Sequence, residues 1–260
     1  MRQKAIFITG GGSGLGRAMA VRFAAAGWRV ALADIDPAGM DGTAALLADS
    51  AERYRLDVRD RDGWVAALGD FATKAGGIDV LANNAGIAVG GPFAEAAFDD
   101  LDRVVAINLI GVMNGARIGH AYLKRTGGCL LNTASASAIY GSAGLAAYSA
   151  TKFAVRALTE ALDGEWHADG VRVRGLVPAF IETPLLDYTG PGSNTAVRDS
   201  VRAAGLEIGT AESVAEAAWR VVHGEALFTY VGKTADRLRF AARWMPGQLR
   251  KRMRRSLGAT

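Results

Sequence analysis

KAIFITGGGSGLGRAMAVRFAAAGWRVALAD, residues 4–34, holds three elements in a fixed order. Residues 4–9 form a short apolar run with strand character, 15–26 have helical spacing, and 29–34 form a second apolar run that ends on Asp34. Gly10, Gly11, Gly12, Ser13, Gly14, Leu15 and Gly16 fill the first junction. Glycines there permit a tight turn and let backbone N–H groups approach a pyrophosphate at the partly positive end of a helix. Such a loop carries little weight alone; a strand before it, a helix after it and a carboxylate closing the next strand supply the context. Asp34 lies 18 residues beyond Gly16, where a carboxylate would accept hydrogen bonds from the adenosine ribose and repel a 2′-phosphate. With no basic residue inside the glycine loop to offset that charge, NAD is the expected dinucleotide and NADP the lesser one.

The same alternation continues along the chain. Strand-like runs at 53–58, 78–82, 128–133, 171–177 and 227–231 are separated by helix-like stretches at 37–48, 61–75, 98–125, 148–168 and 211–223. Nearly all-apolar strands alternating with helices predict a Rossmann-type, doubly wound α/β fold: a parallel sheet of about seven strands with helices on both faces. Without a linker or an internal repeat, residues 1–235 read as one catalytic domain, with a Gly/Pro/Thr-containing loop at about 182–209 and a helical extension at 236–260.

Half of the 260 residues are apolar, enough for a substantial core. Cys129 is the only cysteine, so no internal disulfide framework exists, and His120, His167 and His223 have no spacing that suggests a metal site. The apolar run in MRQKAIFITGGG is too short for a signal-peptide core, and no stretch approaches the roughly 20 apolar residues that span a bilayer. A cytoplasmic protein is expected. Charge is uneven: the tail from 236 carries +7 of the chain's +4, leaving −3 on the body. That balance argues against a nucleic-acid-binding core.

YSATK, residues 148–152, sets Tyr148 one helical turn before Lys152. Together with TGGGSGLG at 9–16, Asp57-Val58, Asn83-Asn84-Ala85-Gly86, Asn108 within INLIG and Ser135 thirteen residues ahead of Tyr148, it resembles the short-chain dehydrogenase/reductase family. The resemblance implies a hydride transfer between NAD(H) and a secondary alcohol or ketone. Tyr148 would act as general acid/base, Lys152 would favour its phenolate, and Ser135, with Ser137 as the fallback, would hold the substrate oxygen. Asn108 would hold a water in a proton relay. Gly10, Gly12, Ser13, Gly14, Leu15, Gly16, Asp34, Asp57, Val58, Asn84, Ala85, Gly86, Tyr148, Lys152, Pro178, Ile181 and Thr183 would meet the cofactor. The chain departs from the family in VRVRGLVPAFIET (171–183), where Arg174 replaces an asparagine and Ala179 a glycine. Alanine adopts positive φ less cheaply, so a rearranged turn is expected beside Phe180 and Ile181.

For the substrate, Ser135, Tyr140, Tyr148, Phe180 and Leu185 are the expected contacts, with Ile87, Val89, Phe93, Ile139, Leu186 and Tyr188 nearby. Their apolar character, with no arginine or lysine among them, predicts a small hydrophobic, uncharged alcohol or ketone. The resemblance suggests a homodimer or homotetramer. Alternatives are an NADP-dependent ketone reductase and a non-catalytic dinucleotide-binding or membrane-associated module. In the tail, Leu238, Ala241, Ala242, Met245, Leu249 and Met253 fall on one helical stripe, Phe240 and Trp244 nearly opposite, and Pro246 breaks or ends the helix. Four placements follow: peripheral contact with an anionic bilayer, closure over the substrate entrance, a subunit contact or a solvated tail.

Overall fold

The computed structural model describes residues 2–47, 51–187, 189, 196–203 and 205–255. Its strands are β1 (Ala5–Thr9), β2 (Arg29–Asp34), β3 (Glu52–Arg55), β4 (Val80–Asn83), β5 (Cys129–Thr133), β6 (Arg172–Pro178) and β7 (Phe228–Val231). They form one seven-stranded sheet in the order β3-β2-β1-β4-β5-β6-β7. Every pairing is parallel. The helices are α1 (Gly14–Ala25), α2 (Pro37–Ala44), α3 (Arg61–Ala75), α4 (Phe98–Val105), α5 (Gly111–Thr126), α6 (Ala146–Trp166), α7 (Val197–Ala203), α8 (Ala211–His223), α9 (Lys233–Trp244) and α10 (Pro246–Arg255). The doubly wound fold is the one expected.

Strand side chains alternate between two cores. Ile6, Ile8, Val30 and Leu32 face α1 and α8, where Met19, Phe23, Val214 and Ala218 are buried. Phe7, Ala31, Leu81, Leu130 and Val173 face the other way, onto Trp64 and Phe71 of α3, Leu123 of α5 and Leu162 of α6. A parallel sheet needs both faces covered, which explains why its strands lack a polar alternation. The helix ends follow local chemistry: Asp60 caps α3 through the N–H of Asp62 at 3.0 Å, and left-handed Gly76 ends it.

The sheet order brings the C-terminal ends of β1, β4, β5 and β6 to one rim, where the order reverses around β1 and β4. β3 leaves the sheet earlier than the expected 53–58, because Asp57 turns its carboxylate back onto the N–H of Arg59 at 3.0 Å. The single helix expected over 98–125 is interrupted by a π-turn at Ala106–Ile110. The expected loop at 182–209 contains a 3₁₀ turn at Pro184–Asp187 and α7; Tyr188 lies outside the described residues. Pro246 does not merely end a helix. It starts α10, where its missing N–H has no helical partner to lose. Among the described residues no helix is long and apolar enough to cross a membrane.

Candidate active site

The glycine loop is shaped by contacts that a side chain would block. A Cβ at Gly16 would collide with the carbonyl of Gly10, and Gly14 holds φ at +50°, in the left-handed region. Thr9 fixes the loop to the neighbouring strand: its hydroxyl accepts from the N–H of Asn84 at 3.0 Å and of Ala85 at 3.1 Å. Asn84 returns a bond from Nδ2 to the Thr9 carbonyl at 3.0 Å. Asp34 Oδ2 accepts from the N–H of Gly12 at 2.9 Å, and its Oδ1 from that of Asp36 at 3.1 Å. The nearby Arg17 donates to the Gly12 carbonyl at 2.6 Å and to Thr43 Oγ1 at 3.0 Å.

Tyr148 and Lys152 project from α6 towards β5, and both are buried. Lys152 Nζ donates to the Thr133 carbonyl at 2.9 Å and lies 5.7 Å from the Tyr148 ring centre. Burial pushes the Lys152 ammonium down to about 8. Burial also raises the Tyr148 phenol above its ordinary value, opposed by a hydrogen bond from Ser135. Ser135 is extended, and its Oγ accepts from the N–H of Ser137 at 3.2 Å, which opens the turn Ala136–Ala138. Burial thus keeps the phenol neutral at pH 7.

A cleft of about 1040 Å³ joins these two regions. Gly10, Ser13, Gly14, Leu15, Asp34, Asp57, Val58, Asn84, Ala85, Gly86, Ser135, Tyr148, Lys152, Pro178, Phe180, Ile181, Thr183 and Leu185 all line it. Gly12 and Gly16 stand behind the wall and shape it. An elongated cleft with a glycine cradle and a strand-end carboxylate fits a dinucleotide.

Asn108 sits in the π-turn, donating to the Ile87 carbonyl and accepting from the Ile87 N–H, both at 2.9 Å; a Cβ at Gly86 would meet both its Oδ1 and Lys152 Nζ. Several other expected residues are placed differently. Tyr140 does not line the cleft: the Ala136–Ala138 turn sends Ile139 into a small core with Val112, Val155 and Val177, carrying Tyr140 away with it. Val89 and Phe93 also fall outside the lining, whereas Ile87 and Leu186 are in it. Arg174 points away from the cleft, donating to Asp163 Oδ1 at 3.2 Å and the Gly224 carbonyl at 3.4 Å. Ala179 keeps a negative φ, with its N–H donating to Val231 at 3.0 Å.

The tail supplies residues that the motifs do not reveal. Leu238, Ala241, Leu249 and Met253, four members of the apolar stripe, line the cleft together with Arg237 and Arg252. Phe240 and Trp244 face outward, 59% and 68% exposed. The stripe thus packs against the body of the protein and contributes to the cleft wall. The absence of cationic side chains near the substrate region is corrected at the same time. Only the stripe's period and the break at Pro246 signalled this arrangement in the sequence.

Residues 4–193 match the short chain dehydrogenase family. The chain belongs to that family. This short chain dehydrogenase is similar to the meso-2,3-butanediol dehydrogenase of Serratia marcescens, 39% identical over 183 residues that cover 70% of this chain and 73% of the relative. It is also similar to the 2-(R)-hydroxypropyl-CoM dehydrogenase of Xanthobacter autotrophicus, 34% identical over 239 residues, 88% of this chain and 94% of the relative. Among solved structures, a short chain dehydrogenase/reductase from Burkholderia phymatum in complex with NAD superposes with a TM-score of 0.84 at 26% identity, covering 96% of this chain and 95% of that one. The family assignment makes this an oxidoreductase of alcohols and ketones, with a nicotinamide dinucleotide as its cofactor.

Proposed function

We propose that this chain is an NAD-dependent dehydrogenase of secondary alcohols, or reductase of the matching ketones, with a largely apolar substrate. The observation that carries this reading is one continuous cleft lined by Asp34 at one end and by Ser135, Tyr148 and Lys152 at the other. A nicotinamide dinucleotide held there would supply the hydride acceptor or donor. The N–H groups of the glycine loop and the helix start at Gly14 would hold its pyrophosphate, and Asp34, whose oxygens keep lone pairs beyond those used by Gly12 and Asp36, the adenosine ribose. The Asp34 carboxylate at the ribose end disfavours a 2′-phosphate, which favours NAD.

Tyr148 Oη gives its proton to the ketone oxygen in reduction and takes the alcohol proton in oxidation. Ser135 Oγ holds the same oxygen and stabilises its developing charge. Lys152, still largely charged near neutrality, favours the phenolate against the burial that opposes it. Asn108 acts through its two bonds to Ile87, holding the segment after Gly86 against the π-turn.

A homo-oligomer is the favoured assembly, supported by the exposed apolar Phe98, Val105, Ile110, Met113 and Phe153 on α4, the π-turn, α5 and α6; a single monomer mass by light scattering would remove that reading. The enzymatic reading is tested by following nicotinamide absorbance with NAD(H) and NADP(H) against a panel of alcohols and ketones. Turnover with NAD(H), lost in Tyr148→Phe, is the expected result. Turnover by the Tyr148→Phe variant at the wild-type rate would overturn the assignment.

A further inference from the structure

The carboxylates in the cleft wall are all engaged. Asp34 holds the N–H groups of Gly12 and Asp36. Asp57 is gripped by Arg59 through Nε and Nη2, and Asp187 by Arg198, which also reaches Glu182. Arg237 of α9 and Arg252 of α10 line the same cleft and form no ion pair among the described residues. Two unneutralised guanidinium groups on the wall of a largely apolar cleft are an arrangement that attracts an anion.

Their position identifies which end of the cleft they serve. β7, which leads into α9, stands four strands from β1 in the sheet order, about 19 Å at ordinary strand spacing, so the glycine loop is remote from the start of α9. α9 instead packs on β7 and on the turn Ala136–Ala138, immediately after Ser135. Arg237 and Arg252 lie eight residues before and seven residues after the break at Met245, on two helices packed together, and Leu238, Ala241, Leu249 and Met253 stand beside them in the wall. Ser135 and Tyr148, the apolar Leu238, Ala241, Leu249 and Met253, and the two arginines therefore share one continuous wall.

Resting on the oxidoreductase reading above, we propose that the substrate is amphipathic: a hydroxyl or keto carbon at Ser135 and Tyr148, an apolar stem along Leu185, Leu238, Leu249 and Met253, and an anionic group at Arg237 and Arg252. A carboxylate and a phosphate monoester share the chemistry that this pair recognises. The tail helices are then a specificity element.

The test uses the full chain and three medium-chain methyl ketones that differ only at the far end: a carboxylate, its methyl ester and a phosphate monoester. Wild-type enzyme should favour at least one anion over the ester in kcat/KM by roughly tenfold or more, mainly through KM, and added salt should reduce that ratio. In Arg237→Gln/Arg252→Gln the ratio should collapse towards one, while Arg237→Lys/Arg252→Lys should keep part of it. The carboxylate-to-phosphate ratio in the wild type identifies the anion. Binding of each ketone to the cofactor-loaded protein, measured by calorimetry, separates the two readings. Anion binding lost in the Gln variant without turnover of any ketone would leave the anion site standing and remove the oxidoreductase reading. An ester bound and turned over as well as both anions would overturn the proposal. So would NADH affinity falling in the Gln variant in step with the ratio, because the arginines would then be holding the phosphates of the cofactor.

Discussion

The Lys152 ammonium donates to the carbonyl oxygen of Thr133 at 2.9 Å. The Tyr148 phenol one turn earlier instead interacts with Ser135. The lysine is thus anchored to the end of β5, with its ammonium 5.7 Å from the Tyr148 ring centre. Burial opposes ionisation of both groups, raising the phenol and lowering the ammonium.

Lys152→Met should stabilise the cofactor-free protein at pH 7 while abolishing most activity. With the folded-state value near 8 against an ordinary 10.5, the buried charge weakens the fold fully below about pH 8. That penalty fades as pH rises through 8 and is gone above 10.5. The gain should be about 1–3 kcal/mol at pH 7, lessened by the unpaired Thr133 carbonyl, and should shrink towards pH 10. Thermal melts of both proteins across that range check it; a variant less stable than wild type at pH 7 would contradict the buried-charge penalty.

Tyr148→Phe keeps the ring and removes the proton carrier, so turnover should fall by roughly 10³-fold while NADH still binds. Because burial holds the phenol protonated, wild-type alcohol oxidation should strengthen as pH rises towards the raised value of the phenol, while ketone reduction should stay level until that value is passed. A rising oxidation profile beside a level reduction profile, measured with hydride transfer rate-limiting, is the expected signature. A flat oxidation profile from about pH 6 to about pH 10 would exclude the tyrosine as the titrating group.

Asp34 carries a charge and an acceptor for the Gly12 N–H, and two variants separate them. Asp34→Asn keeps an acceptor and removes the charge, so it should narrow the NAD preference with little loss of stability. Asp34→Ala should narrow it similarly and also destabilise the loop by about 1 kcal/mol or more. The ratio of kcat/KM for NAD and NADP, with melts alongside, decides it; a wild type that already prefers NADP would refute the role given to Asp34.

Asn108→Ala removes both bonds to Ile87 and leaves that residue's half-buried N–H and carbonyl without their partner. A loss of about 2–4 kcal/mol is expected, with a raised KM because Ile87 lines the cleft. Asn108→Asp should keep the bond from the Ile87 N–H and lose the other. Unchanged stability in Asn108→Ala would show that Ile87 is held by other contacts.

The sequence by itself determined the α/β alternation, the strand-to-helix glycine loop and the pairing of Tyr148 with Lys152, because each depends on local periodicity or on residues one turn apart. It also marked the tail stripe and the break at Pro246. What it could not determine were relationships between elements distant in the chain. The bonds that tie Asn108 to Ile87 and the course of the chain that takes Tyr140 out of the cleft lining are of this kind. The pull of burial on Tyr148 and Lys152 was likewise hidden, since desolvation depends on what packs around a side chain and not on its neighbours in sequence. Most of all, Arg237 and Arg252 read as part of a basic tail. Only the packing of α9 and α10 over the C-terminal rim of the sheet turned that surface charge into part of the cleft.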